Sequence, residues 1–265
     1  MESAQTRILY NEQVAPGYFR LGLAWKTPPV VAGHFVMLRV EHGLDPLLRR
    51  PFGIYKVLGA RGKRTLRGSG VEILYQVVGK GTKILSMKTP GERIDALGPL
   101  GNGFPAPPPG RKVILVAGGM GIAPLYLFAA GLKGGTLLFG SRDKSVARIA
   151  REFKGFDCRV RIATDDGSAG RKGFVTELLK EEAAPGSVVY ACGPVGMLKA
   201  ASRISEEAGA LCHVSLERSM ACGIGVCLGC AVKMKARNEK ENKNYRMVCS
   251  EGPVFDSREI DWDVL

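Results

Sequence analysis

Short apolar stretches separated by turn-forming residues characterise the first hundred residues of the chain. Four such stretches, at 19–25, 34–40, 52–58 and 71–77, recur at the spacing of strands in a small barrel. Glycines, prolines and charged residues separate them, and no long helical periodicity interrupts the pattern. We therefore expect an antiparallel β-barrel over residues 1–103, because short strands with one apolar face can bury that face by closing on themselves.

The hydrophobic pattern changes after a proline-rich segment at 103–110, which we interpret as a stiff linker between domains. Short continuous apolar stretches follow, typical of strands buried on both faces of a parallel sheet, and helical segments fit between them. This alternation predicts a doubly wound α/β domain over residues 110–213. The expected strands lie at 112–117, 135–140, 157–163 and 187–191, and the expected helices at 125–130, 174–182 and 195–208.

From residue 214 the alternation of strands and helices stops. The remaining segment, 214–265, is too short to bury a large apolar core by itself, and a bound metal centre is a common remedy. It contains four of the seven cysteines of the chain. We therefore expect a small third subdomain organised around a metal.

The chain has 265 residues, a formal charge of +13 and a sequence pI of about 9.6. A basic surface suits an anionic cofactor, an acidic partner or nucleic acid, but the excess is spread along the chain and equally fits an ordinary solvated surface. The densest basic run, at 233–246, has the composition of an exposed loop or hairpin tip. No apolar run is long enough for a signal peptide or a membrane span, so we expect a cytoplasmic protein. The odd number of cysteines argues against a secreted disulfide framework.

The cysteines Cys222, Cys227, Cys230 and Cys249 follow the spacing C-x4-C-x2-C with a distant fourth residue, which is the spacing of plant-type [2Fe–2S] sites. A tight loop can supply three thiolates to two irons, and its glycines leave room for backbone amides to point at the sulfurs. A structural zinc site with four cysteine ligands is the alternative. Zinc ribbons usually pair two C-x2-C motifs, however, and this segment contains one. The spacing therefore predicts a [2Fe–2S] cluster and an electron-transfer protein.

A glycine-rich turn follows the first strand of the expected parallel sheet and opens a helix. Gly118, Gly119 and Gly121 would let the backbone approach a diphosphate, whose charge the helix amides favour. Pro124 suits the first helical turn, where its missing N–H is no loss. The same residues fit an ordinary tight turn, but their place at the carboxyl edge of a parallel sheet favours binding.

Two further loops lie at the same edge of the expected sheet. Residues 190–197 end the fourth strand and start a helix, which supports a ligand site there. Ser141 and Arg142 follow the second strand, where they could reach an adenosine ribose or its phosphate, or belong to a solvated loop. In the barrel, residues 48–54 and the Gly-Lys-Gly-Thr turn at 79–82 suit an anionic, planar ligand, although turns in basic barrels have much the same composition.

These motifs occur together, in order, along nearly the whole chain. The barrel motifs, G-G-M-G-I-A-P at 118–124 and C-G-P-V-G-M at 192–197 resemble the ferredoxin–NADP reductase superfamily. Two further segments make the resemblance more specific: E-R-S-M-A-C-G-I-G-V-C-L-G-C at 217–230 and V-C-S-E-G-P-V-F-D at 248–256. Together they resemble the electron-transfer subunits of class 1B dihydroorotate dehydrogenase, and the cysteine segment is the most specific part.

The resemblance implies a site for each cofactor. FAD would contact Arg50, Pro51, Phe52, Gly53, Leu74, Tyr75, Gln76, Gly81 and Thr82. NAD(H) would contact Gly118, Gly119, Gly121, Ile122, Ala123, Pro124, Ser141, Arg142 and Met197, with Cys192, Gly193 and Pro194 near the position of hydride transfer. The chain departs from the family pattern at two of these positions. Gly53 replaces a serine whose hydroxyl would lie near the reactive flavin nitrogen, and Gln76 replaces a basic partner of the diphosphate, for which Lys80 or Arg50 would compensate.

The resemblance also implies a reaction and a partner. Dihydroorotate would reduce FMN in a separate catalytic subunit, and electrons would cross this chain through the cluster and FAD to NAD⁺. The complex would contain two copies of each subunit and serve pyrimidine synthesis, and we assign no substrate-oxidising residue to this chain. We expect neither nucleic acid nor a membrane as a partner. The choice between NAD and NADP stays open, since Arg142 would suit a 2′-phosphate whereas the family implies NAD.

Two alternatives remain at this point. The small subunits of NADH-dependent ferredoxin:NADP oxidoreductase and of sulfide dehydrogenase have similar modules, but they tend to replace the first cysteine ligand by aspartate, whereas Cys222 is intact. The second alternative is a zinc-ribbon protein that binds nucleic acid, suggested by the charge of +13. The sequence lacks the aromatic and basic surface that such a protein needs.

Overall fold

Six antiparallel strands close into a barrel in the first part of the molecule. The computed structural model describes residues 1–26, 28–59, 68–235 and 244–265. The barrel strands are β1 (Glu2–Ala15), β2 (Tyr18–Ala24), β3 (Phe35–Arg39), β4 (Arg50–Leu58), β5 (Gly70–Gln76) and β6 (Arg93–Leu100). They neighbour one another in the order β1-β2-β5-β4-β3-β6, and inward side chains such as Leu21, Val36, Ile54 and Ile73 form a buried core.

The predicted barrel is confirmed, and the four predicted strands correspond to β2, β3, β4 and β5. The sequence did not predict β1 and β6, which pair with each other from Glu2↔Gly98 to Arg7↔Arg93 and so close the barrel. It also missed the helix α1 (Lys80–Met87), whose eight residues are too few for a clear helical period. The Thr82 hydroxyl starts this helix by accepting hydrogen bonds from the amides of Val78 and Gly79 at 2.9 and 3.1 Å.

A seven-stranded sheet forms the second part of the molecule, and six of its strands are parallel. These are β7 (Val113–Gly118), β8 (Thr136–Ser141), β9 (Arg159–Thr164), β10 (Arg171–Lys172), β11 (Val188–Cys192) and β12 (Leu211–Ser215). Their order is β10-β9-β8-β7-β11-β12, so the order of strands reverses between β7 and β11. A reversal of this kind opens a crevice at the carboxyl ends of the two strands.

Helices cover both faces of this sheet, as the predicted doubly wound fold requires. The helices are α2 (Ile122–Ala130), α3 (Lys144–Ala147), α4 (Val175–Glu182) and α5 (Val195–Glu207). Leu125 of α2 is buried on one face, whereas Leu178 of α4 and Leu198 of α5 are buried on the other. None of the helices in the described ranges combines the length and apolar composition that a bilayer span requires.

The C-terminal segment is built into the sheet. A hairpin of β13 (Ala231–Lys233) and β14 (Tyr245–Met247) precedes β15 (Val254–Asp256), which pairs antiparallel with β12 at the sheet edge. Cys230 and Cys249 are buried in one core with residues of the sheet and of β3. The cluster segment predicted at 214–265 therefore shares its core with the other two parts. Residues 236–243 of the predicted basic loop lie outside the described residues.

A network of charged side chains joins the barrel to the sheet domain. Lys56 of β4 forms an ion pair with Glu72 of β5 at 3.2 Å and a second ion pair with Glu152 of the sheet domain. Arg20 of β2 reaches the same Glu152 carboxylate at 3.1 Å. The Lys56 Nζ also lies 4.8 Å from the ring centroid of Tyr126 in α2. These contacts hold α2 against the barrel. As a result, the crevice at the carboxyl ends of β7 and β11 lies beside β4 and β5.

Candidate functional site

The two glycine-rich turns predicted at the sheet edge touch each other. A Cβ atom on Gly121 would lie 1.9 Å from the Cys192 carbonyl oxygen, and one on Gly118 would lie 2.6 Å from the Met197 Sδ. Glycine at these positions therefore lets the turn after β7 pack against the turn after β11. The structure thus brings together the predicted dinucleotide residues of both turns: Gly118, Gly119, Gly121, Ile122, Ala123, Pro124, Cys192, Gly193, Pro194 and Met197.

The predicted pair Ser141 and Arg142 lies at the end of β8, one strand away from these turns. Ser141 is buried and donates a hydrogen bond to the backbone carbonyl of Asp143 at 3.2 Å. The Asp143 carboxylate in turn caps α3 by accepting from the amides of Ser145 and Val146. Arg142 is exposed. Arg142 is therefore the member of the pair that a ligand at the sheet edge can reach.

An open cavity of about 550 Å³ lies between the barrel and the sheet edge, a volume typical of small-molecule sites. Strands β4 and β5 form one wall, the start of α2 a second, and the chain after β12 a third. The structure brings eight of the nine residues predicted for FAD to this cavity: Arg50, Pro51, Phe52, Gly53, Leu74, Tyr75, Gln76 and Thr82. The predicted nucleotide residues Ala123, Pro124 and Cys192 line it as well.

The ninth predicted residue, Gly81, lies behind Arg50. A Cβ at Gly81 would lie 2.7 Å from the Arg50 Nε, so glycine here leaves room for the guanidinium group at the cavity wall. Lys80 forms an ion pair with Asp45 instead of standing free. Of the two basic residues predicted to compensate for Gln76, Arg50 is therefore the one that lines the cavity.

The third wall of the cavity was not predicted. It consists of Ser215, the last residue of β12, and of the residues that follow towards the predicted ligand Cys222, namely Leu216, Glu217, Arg218, Ser219 and Met220. The E-R-S-M motif at 217–220 belonged to the family resemblance, but no role was assigned to it. Recognising β12 as a strand would have placed this segment at the carboxyl edge of the sheet, where ligands bind.

The cavity suits a planar group with a polar edge. The rings of Phe52 and Tyr75 stand edge to face, with centroids 5.9 Å apart, and provide an apolar wall. On the opposite wall, the Arg218 Nε is buried and has no hydrogen-bond partner among the described residues. A buried donor without a partner is costly, so a ligand acceptor at this place would satisfy it. These features fit a flavin ring.

Gly53 has a steric reason to replace the serine of the family pattern. A Cβ at this position would lie 3.2 Å from the Pro124 Cγ, closer than most contacts of a real Cβ. Strand β4 and the first turn of α2 therefore approach each other at Gly53, between the flavin side of the cavity and the predicted dinucleotide turn.

The four predicted metal ligands lie together beside this cavity. Cys230 and Cys249 are buried, Cys222 is half-buried and Cys227 is exposed. The loop that carries the first three bends at Gly223 and Gly225, whose φ angles of 74° and 85° favour glycine. A Cβ at Gly223 would lie 2.7 Å from the Met37 Cγ, so this loop rests on barrel strand β3.

Backbone amides point at the sulfur atoms. The amides of Ile224, Gly225 and Cys249 donate to the Sγ atoms of Cys222, Cys249 and Cys230 at 3.4, 3.1 and 3.4 Å. Burial raises the pKa of Cys222, but hydrogen bonds from neighbouring amides outweigh it and lower the pKa to about 6. Burial and the adjacent Cys230 raise the pKa of Cys249 to about 12. A bound metal would require these thiols to ionise, a form that the amide hydrogen bonds to sulfur favour.

The side chains of the four cysteines meet in two pairs. The Cys222 and Cys227 side chains are in hydrogen-bonding contact with each other, and so are those of Cys230 and Cys249. Among the residues that the structure describes, no group of three or more cysteine, histidine or acidic side chains is already arranged around a metal position. Two pairs of thiols are the ligand set of a [2Fe–2S] cluster, in which each iron takes two.

Two sequence models of known domains match this chain. The iron–sulfur cluster binding domain of dihydroorotate dehydrogenase B matches residues 217–261, and the oxidoreductase NAD-binding domain matches residues 115–203. The first match contains all four cysteines predicted to bind the cluster. The second contains β8, β11 and most of β7, with the two turns that meet at the sheet edge.

Several curated relatives match nearly the whole chain and share one name. The dihydroorotate dehydrogenase B (NAD(+)) electron transfer subunit of Desulforamulus reducens is 42% identical over 260 residues, which cover 96% of this chain and 92% of that one. This chain belongs to that family. The electron transfer subunit of Caldanaerobacter subterraneus subsp. tengcongensis is 38% identical over 97% of both chains. The predicted family, the oxidoreductase class and the electron-transfer role are thereby confirmed.

Solved structures agree with this fold. A chain of the NADH-dependent reduced ferredoxin–NADP oxidoreductase superposes with a TM-score of 0.83 at 29% identity, over 99% of this chain and 91% of that one. Phthalate dioxygenase reductase superposes with a TM-score of 0.63 at 18% identity, over 93% and 94% of the two chains. The second likeness concerns the fold alone. The barrel followed by a parallel sheet is thus the shared architecture of these electron-transfer subunits and reductases.

Proposed function

We propose that this electron transfer subunit carries electrons between a partner flavoprotein and NAD(H), as part of an NAD-dependent dihydroorotate dehydrogenase. The observation that carries the proposal is the position of the cluster cysteines. The short segment from Ser215 to Cys222 forms a wall of the flavin cavity at one end and carries a cluster ligand at the other. One short segment thus joins the two sites along the chain, which supports electron transfer between the two centres.

Each part of the site has a task in this function. Bound FAD supplies the conversion between hydride transfer and single-electron transfer. Phe52 and Tyr75 would hold the flavin ring from the barrel side, and the Arg218 guanidinium group would offer a donor to its polar edge. The first turn of α2 offers amides to the dinucleotide diphosphate. Cys192, fully buried at the end of β11, would lie near the position of hydride transfer.

The partner is a catalytic subunit that contains FMN and oxidises dihydroorotate, in a complex of two copies of each subunit. The relatives are named electron transfer subunits of dihydroorotate dehydrogenase B, which supports such a partner. The exposure of apolar side chains on the cluster loop supports contact with the partner around Cys227. Ile224, Val226 and Leu228 of this loop are 42%, 76% and 64% exposed. An exposed apolar group of this kind marks an interaction surface.

A second candidate is the small subunit of an NADH-dependent ferredoxin:NADP oxidoreductase. Its support is the superposition at a TM-score of 0.83. The higher identity to the dihydroorotate dehydrogenase B subunits and the intact first ligand, Cys222, favour the first candidate.

Two experiments test the proposal: co-purification of this chain with the proposed catalytic subunit, and then an assay of NAD⁺ reduction by dihydroorotate. We expect a stable complex, flavin absorbance, an EPR signal from the reduced cluster and NADH formation that needs both subunits. The purified chain alone should bind FAD and be reduced by NADH. A colourless protein with one zinc ion per chain would contradict the presence of a [2Fe–2S] cluster. A complex that does not reduce NAD⁺ with electrons from dihydroorotate, but does reduce ferredoxin, would favour the second candidate.

A further inference from the structure

One carboxylate of the sheet domain binds two cations of the barrel. Glu152 belongs to the 3₁₀ helix Arg148–Phe153, and it accepts hydrogen bonds from the Lys56 Nζ and, at 3.1 Å, from the Arg20 Nη1. The three side chains are between 22% and 28% exposed, so solvent screens these bonds less than it screens fully exposed pairs. Burial alone would lower the pKa of Lys56, but the hydrogen bond to Glu152 and the charge of Glu72 outweigh burial and raise it.

Aromatic packing connects this carboxylate to α2. The ring of Phe153, the residue next to Glu152, packs edge to face against the ring of Tyr126 in α2, with centroids 5.2 Å apart. The Tyr126 ring lies 4.8 Å from the Lys56 Nζ and 4.6 Å from the ring of Tyr55 on β4. Charge and aromatic contact therefore join α2 to β4 at Lys56.

The two joined elements carry the two sides of the functional site. Strand β4 begins with the flavin wall at 50–53, and α2 begins with the predicted dinucleotide residues 122–124. The elements approach each other at Gly53, where a Cβ would lie 3.2 Å from the Pro124 Cγ. Neither Lys56 nor Glu152 is among the described residues that line the cavity. An effect of their contact on the reaction would therefore pass through the relative position of β4 and α2.

Apolar contacts between the two parts leave this position less precisely defined. Barrel residues Tyr18, Tyr55 and Leu74 share a core with the sheet domain, but hydrophobic contacts are non-directional and tolerate small shifts. Hydrogen bonds between charged groups are short and directional, so they specify one geometry. Hydride transfer needs such precision, since a misplacement of about 1 Å can lower a rate about 100-fold.

We propose that Glu152, bonded to Lys56 and Arg20, is a positioning residue that sets the dinucleotide turn of α2 at the distance from the flavin wall that hydride transfer requires. The proposal rests on the part of the proposed function in which NADH reduces the bound FAD. In that reaction, NADH + FAD → NAD⁺ + FADH⁻, a C–H bond of NADH breaks and its hydride carries both electrons to the flavin. Glu152 exchanges neither protons nor electrons in this step.

The test compares Glu152→Gln with the matched control Glu12→Gln. Glutamine keeps nearly the shape of the Glu152 side chain but removes its charge. Each cation retains an anion within the barrel, Glu72 at 3.2 Å from Lys56 and Glu12 at 3.5 Å from Arg20. Glu152→Gln therefore chiefly weakens the connection between the two parts. Glu12→Gln removes the other anion of Arg20, a 60% exposed side chain that belongs to the barrel itself.

The first measurement is stopped-flow reduction of the bound FAD by NADH, which needs no partner subunit. In Glu152→Gln we expect the limiting rate to fall about tenfold, with changes of less than about twofold in FAD content and in the Kd for NADH. Binding is retained because the dinucleotide turn and the flavin wall are themselves unaltered. Glu152→Asp keeps the charge but has a shorter reach, so its rate should be intermediate. Glu12→Gln should match the wild type.

The second measurement is amide hydrogen exchange of the FAD-bound protein without NADH, which does not depend on the reaction. In Glu152→Gln, exchange should become faster in α2 and in Arg148–Phe153, because these segments lose a contact that resists local opening. Exchange in barrel strand β2 should stay as it is in the wild type. Glu12→Gln should not change exchange in α2.

A wild-type limiting rate in Glu152→Gln would overturn the inference, as would equal losses in Glu152→Gln and Glu12→Gln. A weaker Kd for NADH that accounts for the whole loss would also overturn it, because it would indicate a role in binding. If Glu152→Gln does not fold, Glu152→Asp decides, and an unchanged rate with unchanged exchange in that variant would refute the proposal.

Failure of NADH to reduce the FAD of the wild-type chain would contradict both this inference and the proposed function. Failure of the wild-type complex to reduce NAD⁺ with dihydroorotate would contradict the proposed function alone, since the stopped-flow comparison uses this chain and NADH only.

Discussion

Of the four cysteines proposed as cluster ligands, Cys227 is the exposed one, so its replacement disturbs packing least. In Cys227→Ser the hydroxyl group is a poor iron ligand, because it does not ionise at neutral pH. We expect loss of the cluster EPR signal and of electron transfer to the partner, while NADH still reduces the bound FAD. Stopped-flow flavin absorbance and EPR check both statements. Cys158→Ser, which changes a half-buried cysteine outside the cluster, should leave both activities unchanged.

Loss of flavin reduction in Cys227→Ser, with FAD content and fold intact, would show that the order of the centres is wrong. The flavin would then receive electrons only through the cluster, which the shared cavity of predicted FAD and nucleotide residues argues against.

Gly53 sets the distance between barrel strand β4 and the start of α2. In Gly53→Ala the new Cβ meets the Pro124 Cγ at 3.2 Å and must push the first turn of α2 away. We expect the KM for NADH to rise about fivefold, the equivalent of about 1 kcal/mol, with little change in FAD content. Gly53→Ser causes the same displacement and also adds a hydroxyl group. The difference in flavin reduction potential between Gly53→Ser and Gly53→Ala therefore isolates the effect of the hydroxyl that the family pattern has at this position. An unchanged KM in both variants would show that this contact does not position the dinucleotide.

At the scale of single elements, Glu182 at the end of α4 gathers three basic side chains. Its carboxylate accepts hydrogen bonds from the Lys112 Nζ at 2.9 Å and the Arg161 Nη1 at 2.8 Å, and it pairs with Arg159 as well. Burial raises the pKa of Glu182, but these cations outweigh burial and lower the pKa below its usual value. The stability that Glu182 contributes is therefore present above the unfolded pKa and lost as pH falls through the folded pKa.

Glu182→Gln leaves the three cations without their shared anion. We expect the free energy of unfolding to fall by about 1–2 kcal/mol near neutral pH, because water screens the three partly exposed cations, and the difference from the wild type to shrink at about pH 3. Urea unfolding at both pH values measures this. Glu181→Gln is the matched control, because the Glu181 side chain is 43% exposed and its ion pairs are worth about 1 kcal/mol at most. Equal losses in the two variants would refute a special role for Glu182.

Elements with strong apolar patterns were predictable, and those defined by tertiary contacts were not. The core strands β7, β8 and β11 are continuous apolar stretches, and their positions follow from the sequence. Strand β1 mixes polar and apolar residues and is fixed by pairing with both β2 and β6. Strand β15 has three residues and forms only because β12 offers an edge. Propensity in such short segments is overridden by the neighbours that they meet.

At the scale of the whole molecule, the site was predictable where a motif lies within one segment. The cysteine spacing and the glycine-rich turns are local, so the sequence predicts their chemistry. The cavity is assembled from β4, β5, the start of α2 and the segment after β12, which are distant in the sequence. The wall that contains Glu217 and Arg218 depends on the placement of β12 beside β11, which no local pattern encodes.

The proposed cluster cysteines pack the C-terminal segment against the rest of the molecule. Removal of the metal should therefore destabilise strands that lie outside the cluster loop. Cys230 and Cys249 lie in one core with Val214 of β12 and Phe255 of β15. Without iron, the four thiols lose the bonds that hold this segment, and metal binding energy is lost from folding. We expect cluster-free protein, made as Cys249→Ser, to melt on the order of 10 °C lower. Hydrogen exchange should increase most at β15 and β12, while barrel strand β5 stays protected, because its core around Ile73 contains no cluster residue. Uniform exchange across all three strands would mean that the barrel depends on the cluster as well, and that the chain unfolds as one unit.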